Sequence, residues 1–405
     1  MNIVILSPGY PAEMAEFTRG LARAGAKVIG VGEHSVGALP DNARDNLAHY
    51  IQVRSLADED NVHRELTYLA QHAAIDRLEC LWEPYMLLAA RLRERLGLTG
   101  MTVADTEPFR DKEKMKQALD DAGIRTPRHR QASDVGGIRA AAEAIGFPLV
   151  VKPLAGAGSA DTYRVNDTEQ LERVIARVAH VDSLSVEEYI EGEEYTFDTV
   201  CAGGRILYEN IAWYRPKPMI GRAEEWISMQ TVNLRRVDET HLQTGRELGR
   251  AVLEALGFRT GFTHMEWFLK PDGEAVFGEI GARPPGGRSV DLMNYSNDFD
   301  IYRGWGEAVT NRDFSQVAKR AYHAAAIFKR AHGQGHIRHI EGLEALRRRF
   351  GDALVHVDLL PIGAPRRNWK QTLISDGYLI VRHPDLETTL EMADLVGTDL
   401  KIYAG

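Results

Sequence analysis

The 405-residue sequence is too long for one ordinary hydrophobic core, so length alone predicts two or three domains, which a 44% hydrophobic content can fill. Its 49 basic and 58 acidic residues leave a net charge of −9 without a long basic run, which speaks against a nucleic-acid partner. No apolar run approaches the roughly 20 residues needed to cross a bilayer, no basic and apolar leader precedes the first strand pattern, and Cys80 and Cys201 are too isolated for a disulfide framework or a zinc site. A cytoplasmic protein without membrane contact is expected.

Residues 2–6 form a short apolar run. The turn Ser7-Pro8-Gly9-Tyr10, an amphipathic helix pattern ending near Gly25 and a second apolar run over 27–32 follow. This βαβ opening predicts a parallel sheet with helices on its faces. The turn lacks the spaced glycines of a dinucleotide fingerprint and reads as structural. Helical patterns at 60–74 and 84–96 complete a first domain, residues 1–104.

A capped helix follows over 109–123, with lysines on what reads as a solvated face. Residues 147–153 form a buried-type strand closed by Lys152, which leads into a small-residue loop with Gly156, Gly158 and Ser159. Backbone amides and one ammonium placed this way suit a phosphate, although the loop lacks the Gly-Lys-Ser/Thr of a P-loop. Two strands over 184–200, broken at Gly192, carry Glu187-Glu188-Tyr189-Ile190 and then Glu194. A strand crossing a cleft exposes backbone groups that can pair with an adenine edge, with an acidic residue for ribose hydroxyls, but acidic strand ends are also common solubility features. The Trp213-to-Pro218 segment reads as a loop over the cleft, and a helix over 241–256 leads into the next stretch.

That stretch, Phe262 to Gly287, reads as a β-hairpin turning at Asp272-Gly273, a dipeptide suited to a two-residue turn. In that register Phe268 opposes Phe277 and Glu266 opposes Glu279, with Phe268 and Glu266 on one face. Facing carboxylates with Cβ atoms roughly 5 Å apart destabilise a sheet, so the pair implies solvent or a bridging cation. Arg283, four residues past Glu279, and the Pro284-Pro285-Gly286-Gly287 loop complete a set that suits a nucleotide triphosphate with a hard divalent ion. His264 shares the face of Glu266 and reads either as a structural histidine or as an acid/base group. From residue 311 to 405, short strands and helices predict a separate α+β lobe.

The ordered set of lysine helix, Lys152 strand with glycine loop, Glu187-to-Ile190 segment and paired glutamates with Arg283 resembles the ATP-grasp superfamily over about residues 105–310. The resemblance implies a mixed α/β and α+β fold. A Rossmann-like domain (1–104) precedes the ATP-grasp domain (105–310, with a small lid lobe at about 125–190), and a C-terminal α+β lobe (311–405) follows. It implies that Lys112 and Lys152 hold ATP phosphates, that Gly156, Gly158 and Ser159 close over them, and that Glu187, Glu188, Tyr189 and Ile190 read adenine. Glu194 would contact ribose, Phe268 would pack under adenine, Glu266 and Glu279 would bind Mg²⁺, with Mn²⁺ as the substitute ion, and Arg283 would stabilise the transferred phosphoryl group. Many members carry asparagine where this chain has Gly281, so a third metal contact is not specified.

The His-x-Glu and Glu-Ile-small-small-Arg signatures resemble the L-amino-acid ligase, or dipeptide synthetase, branch. This implies that ATP activates a carboxylate as an acylphosphate, which an amine then attacks, releasing ADP and phosphate. The partners implied are a small-molecule carboxylate and an amine; a homodimer is compatible but not specified. Biotin carboxylase-like and nucleotide-biosynthesis enzymes share the architecture, and a non-catalytic ATP-binding module is the reading from another class.

Overall fold

The computed structural model describes residues 1–154, 162–310, 312–372 and 374–405. The strand Asn2–Leu6 lies inside a parallel sheet, between Lys27–Gly32 and Arg77–Glu79, with His49–Gln52 at one edge. Ile3 to Leu6 are all fully buried, as an inner parallel strand covered on both faces requires. The helix Glu13–Arg23 ties this domain to the rest of the molecule. Its Phe17 makes edge-on contacts with Phe262, Tyr302 and Trp305, and Gly20 lets the backbone of Tyr302 come where a Cβ would stand 2.3 Å away.

A second, antiparallel sheet has the order His129–Ala132, Leu184–Glu188, Leu149–Pro153, Tyr163–Val165. The helices Val135–Ile145 and Thr168–Arg177 back it and give it a core of its own. At Glu188 the chain leaves this sheet, and at Glu193 it enters a larger one. Gly192 sits at the crossing, where a Cβ would lie 2.5 Å from the Leu269 carbonyl oxygen.

Among the described residues the larger sheet has nine strands. From one edge they are Ala275–Gly281, Gly261–Leu269, Glu193–Ala202, Ala212–Arg215, Gln230–Asn233, His323–Lys329, Gly377–His383 and Leu354–Leu359, with Arg205–Asn210 also paired to Glu193–Ala202. Two expectations change here. Trp213 lies in a strand rather than in a loop over the cleft; the chain turns away only at Pro216, into the short helix Pro218–Ala223. The segment after residue 311 is not a wholly separate lobe: Ile337–Glu341 and Lys401–Ala404 form a two-stranded sheet of their own, but His323–Lys329 pairs along Gln230–Asn233 and continues the central one. Among the described residues no helix is long and apolar enough to cross a membrane.

The hairpin keeps its glutamates opposed through two shifts that cancel. Lys270 and Glu274 pair across a three-residue loop, with Gly273 at φ 87°, so the turn is one residue longer than an Asp-Gly two-residue turn. That offset sets Trp267 against Phe277 and Phe268 against Val276. A β-bulge at Gly278 then restores the register, and Glu266 faces Glu279. A Cβ on Gly278 would stand 2.8 Å from the Glu266 carbonyl oxygen. The expected Phe268–Phe277 pair therefore does not form: Phe277 is fully buried in the core with Trp267, and Phe268 alone lines the cavity.

The helix Gln243–Ala255 clamps the core face of this sheet. A Cβ at Gly245 would fall 2.2 Å from the Trp267 ring, and one at Gly249 would fall 2.2 Å from Phe197. Trp267 cannot move aside freely, since its indole N–H donates to the Thr196 carbonyl at 3.1 Å. Gly245→Ala is accordingly expected to lower stability by about 1–3 kcal/mol through overpacking, despite alanine's better helix propensity. Chemical denaturation reads this directly, and a stabilised variant would contradict the packing account.

Candidate active site

A cavity of about 780 Å³ opens where the first domain, the small lobe and the large sheet meet. Trp82 and Glu83 line it from the first domain, Lys152 and Tyr189 from the small lobe, and Glu266, Phe268, Glu279 and Arg283 from the hairpin and its exit.

Its basic side begins with the helix Lys112–Asp121, which starts where Asp111 caps the amides of Glu113 and Lys114. Lys112, Met115, Lys116 and Leu119 are its buried residues. The lysine face expected to be solvated is thus divided, since Lys114 alone of the three lysines points outward, to Glu107. Lys112 reaches Glu279 at 2.9 Å. Lys116 pairs with Glu187, and Lys152, at the end of its strand, reaches the other oxygen of Glu187 at 3.0 Å. Ser185 also donates to Glu187 at 2.8 Å. Burial opposes charge on Glu187, but the two ammoniums outweigh it and hold the carboxyl well below the usual range. Burial, with Lys152 adding like charge, brings Lys116 down to about 8. One carboxylate shared by two ammoniums leaves a buried positive charge beside the cavity, a complement to phosphate oxygens.

The Glu187 side chain is therefore not available to an adenine edge. Glu188 is also committed, accepting from the Arg128 amide at 3.1 Å and from Arg125 at 3.2 Å. The adenine reading of Glu187 to Ile190 survives only for backbone atoms, and of these the Tyr189 amide already donates to Pro148. The Tyr189 ring carries Arg164 at 4.1 Å on its face. Glu194, buried on the cavity wall and paired in register with Phe268, is pushed up to about 8 by burial and then by the nearby charge of Glu266. Gly156, Gly158 and Ser159 lie outside the described residues.

The acidic side is the Glu266–Glu279 pair. Each side chain is 34% exposed, and each has its own basic neighbour: Lys112 for Glu279, and His264 Nε2 at 3.6 Å for Glu266. Repulsion across the hairpin is thus relieved by flanking cations as well as by solvent. Tyr214 also donates to Glu266, at 3.4 Å. Among the described residues no three His, Cys, Asp or Glu side chains converge to hold a metal. Two carboxylates facing a wall of buried ammoniums still fit Mg²⁺, which is commonly held by one or two carboxylates plus substrate phosphates.

His264 joins this pair to the core. Its Nδ1 donates to Asp198 at 2.6 Å, and Asp198 also accepts from Thr196 at 2.8 Å and Asn210 at 3.2 Å. Burial would discharge the imidazole, but hydrogen bonds to Asp198 and Glu266 outweigh it and raise its pKa to about 9. Since the folded value lies above the ordinary one of about 6.5, its stabilisation is fully present below that pH and is lost as pH rises through about 9. In metal-free protein, the stability gap between wild type and His264→Gln should shrink across that window. Urea titrations with chelator test this, and a gap independent of pH would refute it.

Arg283 is fixed by Glu83, a distant residue that no local sequence pattern marks. Its Nε donates to Glu83 at 2.7 Å and its Nη1 to the Pro284 carbonyl at 2.9 Å, while Arg110 holds the other oxygen of Glu83. Burial opposes the guanidinium's charge, but Glu83, Glu279 and Glu266 hold it fully protonated.

The sequence profile of the ATP-grasp domain matches residues 117–291. An L-arginine-specific L-amino acid ligase of Bacillus subtilis is 28% identical over 244 residues, 56% of this chain and 58% of that protein. The alanine–anticapsin ligase of Bacillus subtilis strain 168 is 29% identical over 250 residues, 56% of this chain and 52% of that protein. The matches thus span little more than half the length of these curated relatives. The crystal structure of an L-amino acid ligase from Bacillus licheniformis superposes with a TM-score of 0.80 at 21% identity, covering 100% of this chain and 98% of the other, a likeness of fold. The profile match runs from the second half of the helix Lys112–Asp121 through the small lobe and the glutamate hairpin, and together with the structural likeness it shows an ATP-grasp domain in an ATP-grasp fold.

Proposed function

We propose that the protein is an ATP-dependent carboxylate–amine ligase acting on amino-acid-like substrates. One observation carries the reading: a single cavity gathers Lys112 and Lys152, the opposed Glu266 and Glu279, and Arg283. Phosphoryl transfer asks for positioning and charge neutralisation more than for covalent help, and this set supplies both. In the reaction, a carboxylate oxygen bonds to the γ-phosphorus of ATP as the bond to the β-bridging oxygen breaks, giving ADP and an acylphosphate. An amine then adds to the acyl carbon, phosphate leaves, and the amine's proton passes to solvent or phosphate.

Lys112 and Lys152 hold phosphate oxygens, and Arg283 meets the charge that develops on the transferring group. Phe268 and backbone atoms near Ile190 accommodate the base, with Glu194 beside the ribose. Mg²⁺, or Mn²⁺ in its place, would be held by Glu266 and Glu279 and would neutralise phosphate charge. His264, bonded on one side to Asp198 and adjacent to Glu266 on the other, orients Glu266, which favours a positioning role over direct acid/base work.

The test is ADP release against a panel of amino-acid pairs, with products weighed by mass spectrometry. The expected product is a dipeptide formed in step with ADP. ADP release at the same rate without amino acids, or a carboxylated product, would overturn the reading. Glu279→Gln should keep the fold and lose turnover, and it should also lose the thermal shift that Mg-ATP gives over ATP with chelator. An unchanged shift would remove Glu279 from the metal site.

A further inference from the structure

Dipeptide formation sets a requirement that the phosphate machinery does not meet. The donor's carboxylate is consumed at the phosphoryl group, but the acceptor amino acid keeps its own, and that charge needs a cation away from the reacting atoms. Arg222 lines the same cavity from the helix Pro218–Ala223. Its one hydrogen bond is Nη2 to the Lys370 carbonyl at 2.8 Å, and no carboxylate pairs with it among the described residues.

Its surroundings add to the unmet charge. Arg330 lies close enough to Arg222 and Arg366 for each to disfavour its own charge, after burial as the larger cause. The two carboxylates there are already taken, since Glu225 and Asp376 both pair with Arg366. Arg330 spends its donors on the carbonyls of Gly221 and Glu224 and stacks over Trp369 at 4.4 Å. Three guanidiniums against two carboxylates leave one positive charge, and Arg222 is the member that reaches the cavity.

Apolar side chains, Met219, Ile220, Met229, Phe328 and Ile374, line the same cavity, with Gln371 and Thr372 among its polar residues. Gly221 permits this packing, because a Cβ there would stand 2.4 Å from Met229. We propose that Arg222 binds the carboxylate of the amine-donating substrate, an α-amino acid with an apolar side chain, and so sets acceptor specificity. Lys217 also lines the cavity but lies beside Tyr189 and acts on Glu194, so the charge on this apolar stretch is that of Arg222, which suits a monoanion with a hydrocarbon side chain better than a doubly charged sugar phosphate. The inference rests on the ligase reading for its chemistry, but it can be tested by binding alone.

The experiment is calorimetry on the full chain saturated with Mg²⁺ and a non-hydrolysable ATP analogue, titrated with leucine, leucinamide and ribose 5-phosphate. Wild type should bind leucine more tightly than leucinamide by on the order of tenfold, the scale of one charge-assisted hydrogen-bonded contact. Arg222→Gln should reduce that preference by weakening leucine alone, and Arg222→Lys should restore part of the loss. Leucine bound as the carboxyl donor persists in Arg222→Gln, so the Arg222-dependent part is the readout. Unchanged leucinamide and analogue affinities show that the variants are folded. A preference undiminished in Arg222→Gln, no preference in wild type, or tighter binding of ribose 5-phosphate would each overturn the proposal. Failure of the ligase reading looks different: wild type would show this binding pattern yet form no dipeptide.

Discussion

Glu187→Gln is expected to destabilise the protein by about 3–5 kcal/mol, the scale for removing one partner of a buried ion pair. The substitution conserves volume, so no cavity term enters. It takes away the one carboxylate that two ammoniums share, since Glu187 is 4% exposed and pairs with both Lys116 and Lys152. The surviving ammoniums would repel each other in a poorly solvated place, and Lys116, already down at about 8, would be pushed lower. Adding Lys116→Met should recover much of the loss, because Lys152 faces the cavity and its solvent while Lys116 is 1% exposed. Urea denaturation of the two variants at neutral pH makes the comparison. A loss under about 1 kcal/mol for Glu187→Gln, or no recovery in the double variant, would mean the cluster is not held by charge.

Lys116 also shows where the sequence was legible and where reading it stopped short. Positions 112, 115, 116 and 119 have the i, i+3, i+4, i+7 spacing of a buried helical stripe, and two of them are lysines. The pattern was in plain view, but a lysine-rich helix reads by default as solvated, and only the partner 71 positions later in the chain, Glu187, shows why an ammonium is buried there. The glutamate pair was legible for a local reason, since strand alternation ties Glu266 to Glu279 across a short loop. The details were not: a longer turn and the Gly278 bulge cancel for the glutamates but separate Phe268 from Phe277. Glu83 was invisible because its role exists only once the first domain packs against the hairpin exit, 200 residues further along. The continuation of the central sheet past residue 311 was hidden likewise, as Gln230–Asn233 and His323–Lys329 pair across a long intervening stretch that periodicity does not record.

Arg283→Lys is expected to lower kcat and kcat/KM together by on the order of a hundredfold while leaving the KM for ATP nearly unchanged. Charge alone is not what the site arranges. Glu83 fixes Nε and the Pro284 carbonyl fixes Nη1, so the guanidinium plane is set before any substrate arrives. A lysine ammonium has no plane to set and no second donor arm held apart from the first, and beside Glu83 its single charge would be drawn to that carboxylate. A residue that only binds ATP would show the opposite pattern, a raised KM with kcat intact, and that outcome would refute the transition-state role. Glu83→Gln separates orientation from charge: Arg283 stays, but its anchor weakens, and kcat should fall by about tenfold. If Glu83 acts through Arg283, the double variant should be scarcely worse than Arg283→Lys alone, because the lysine has already lost the geometry that Glu83 maintains. Independent, multiplying losses would instead give Glu83 a separate task, with Arg110, its other partner, as the residue to vary next.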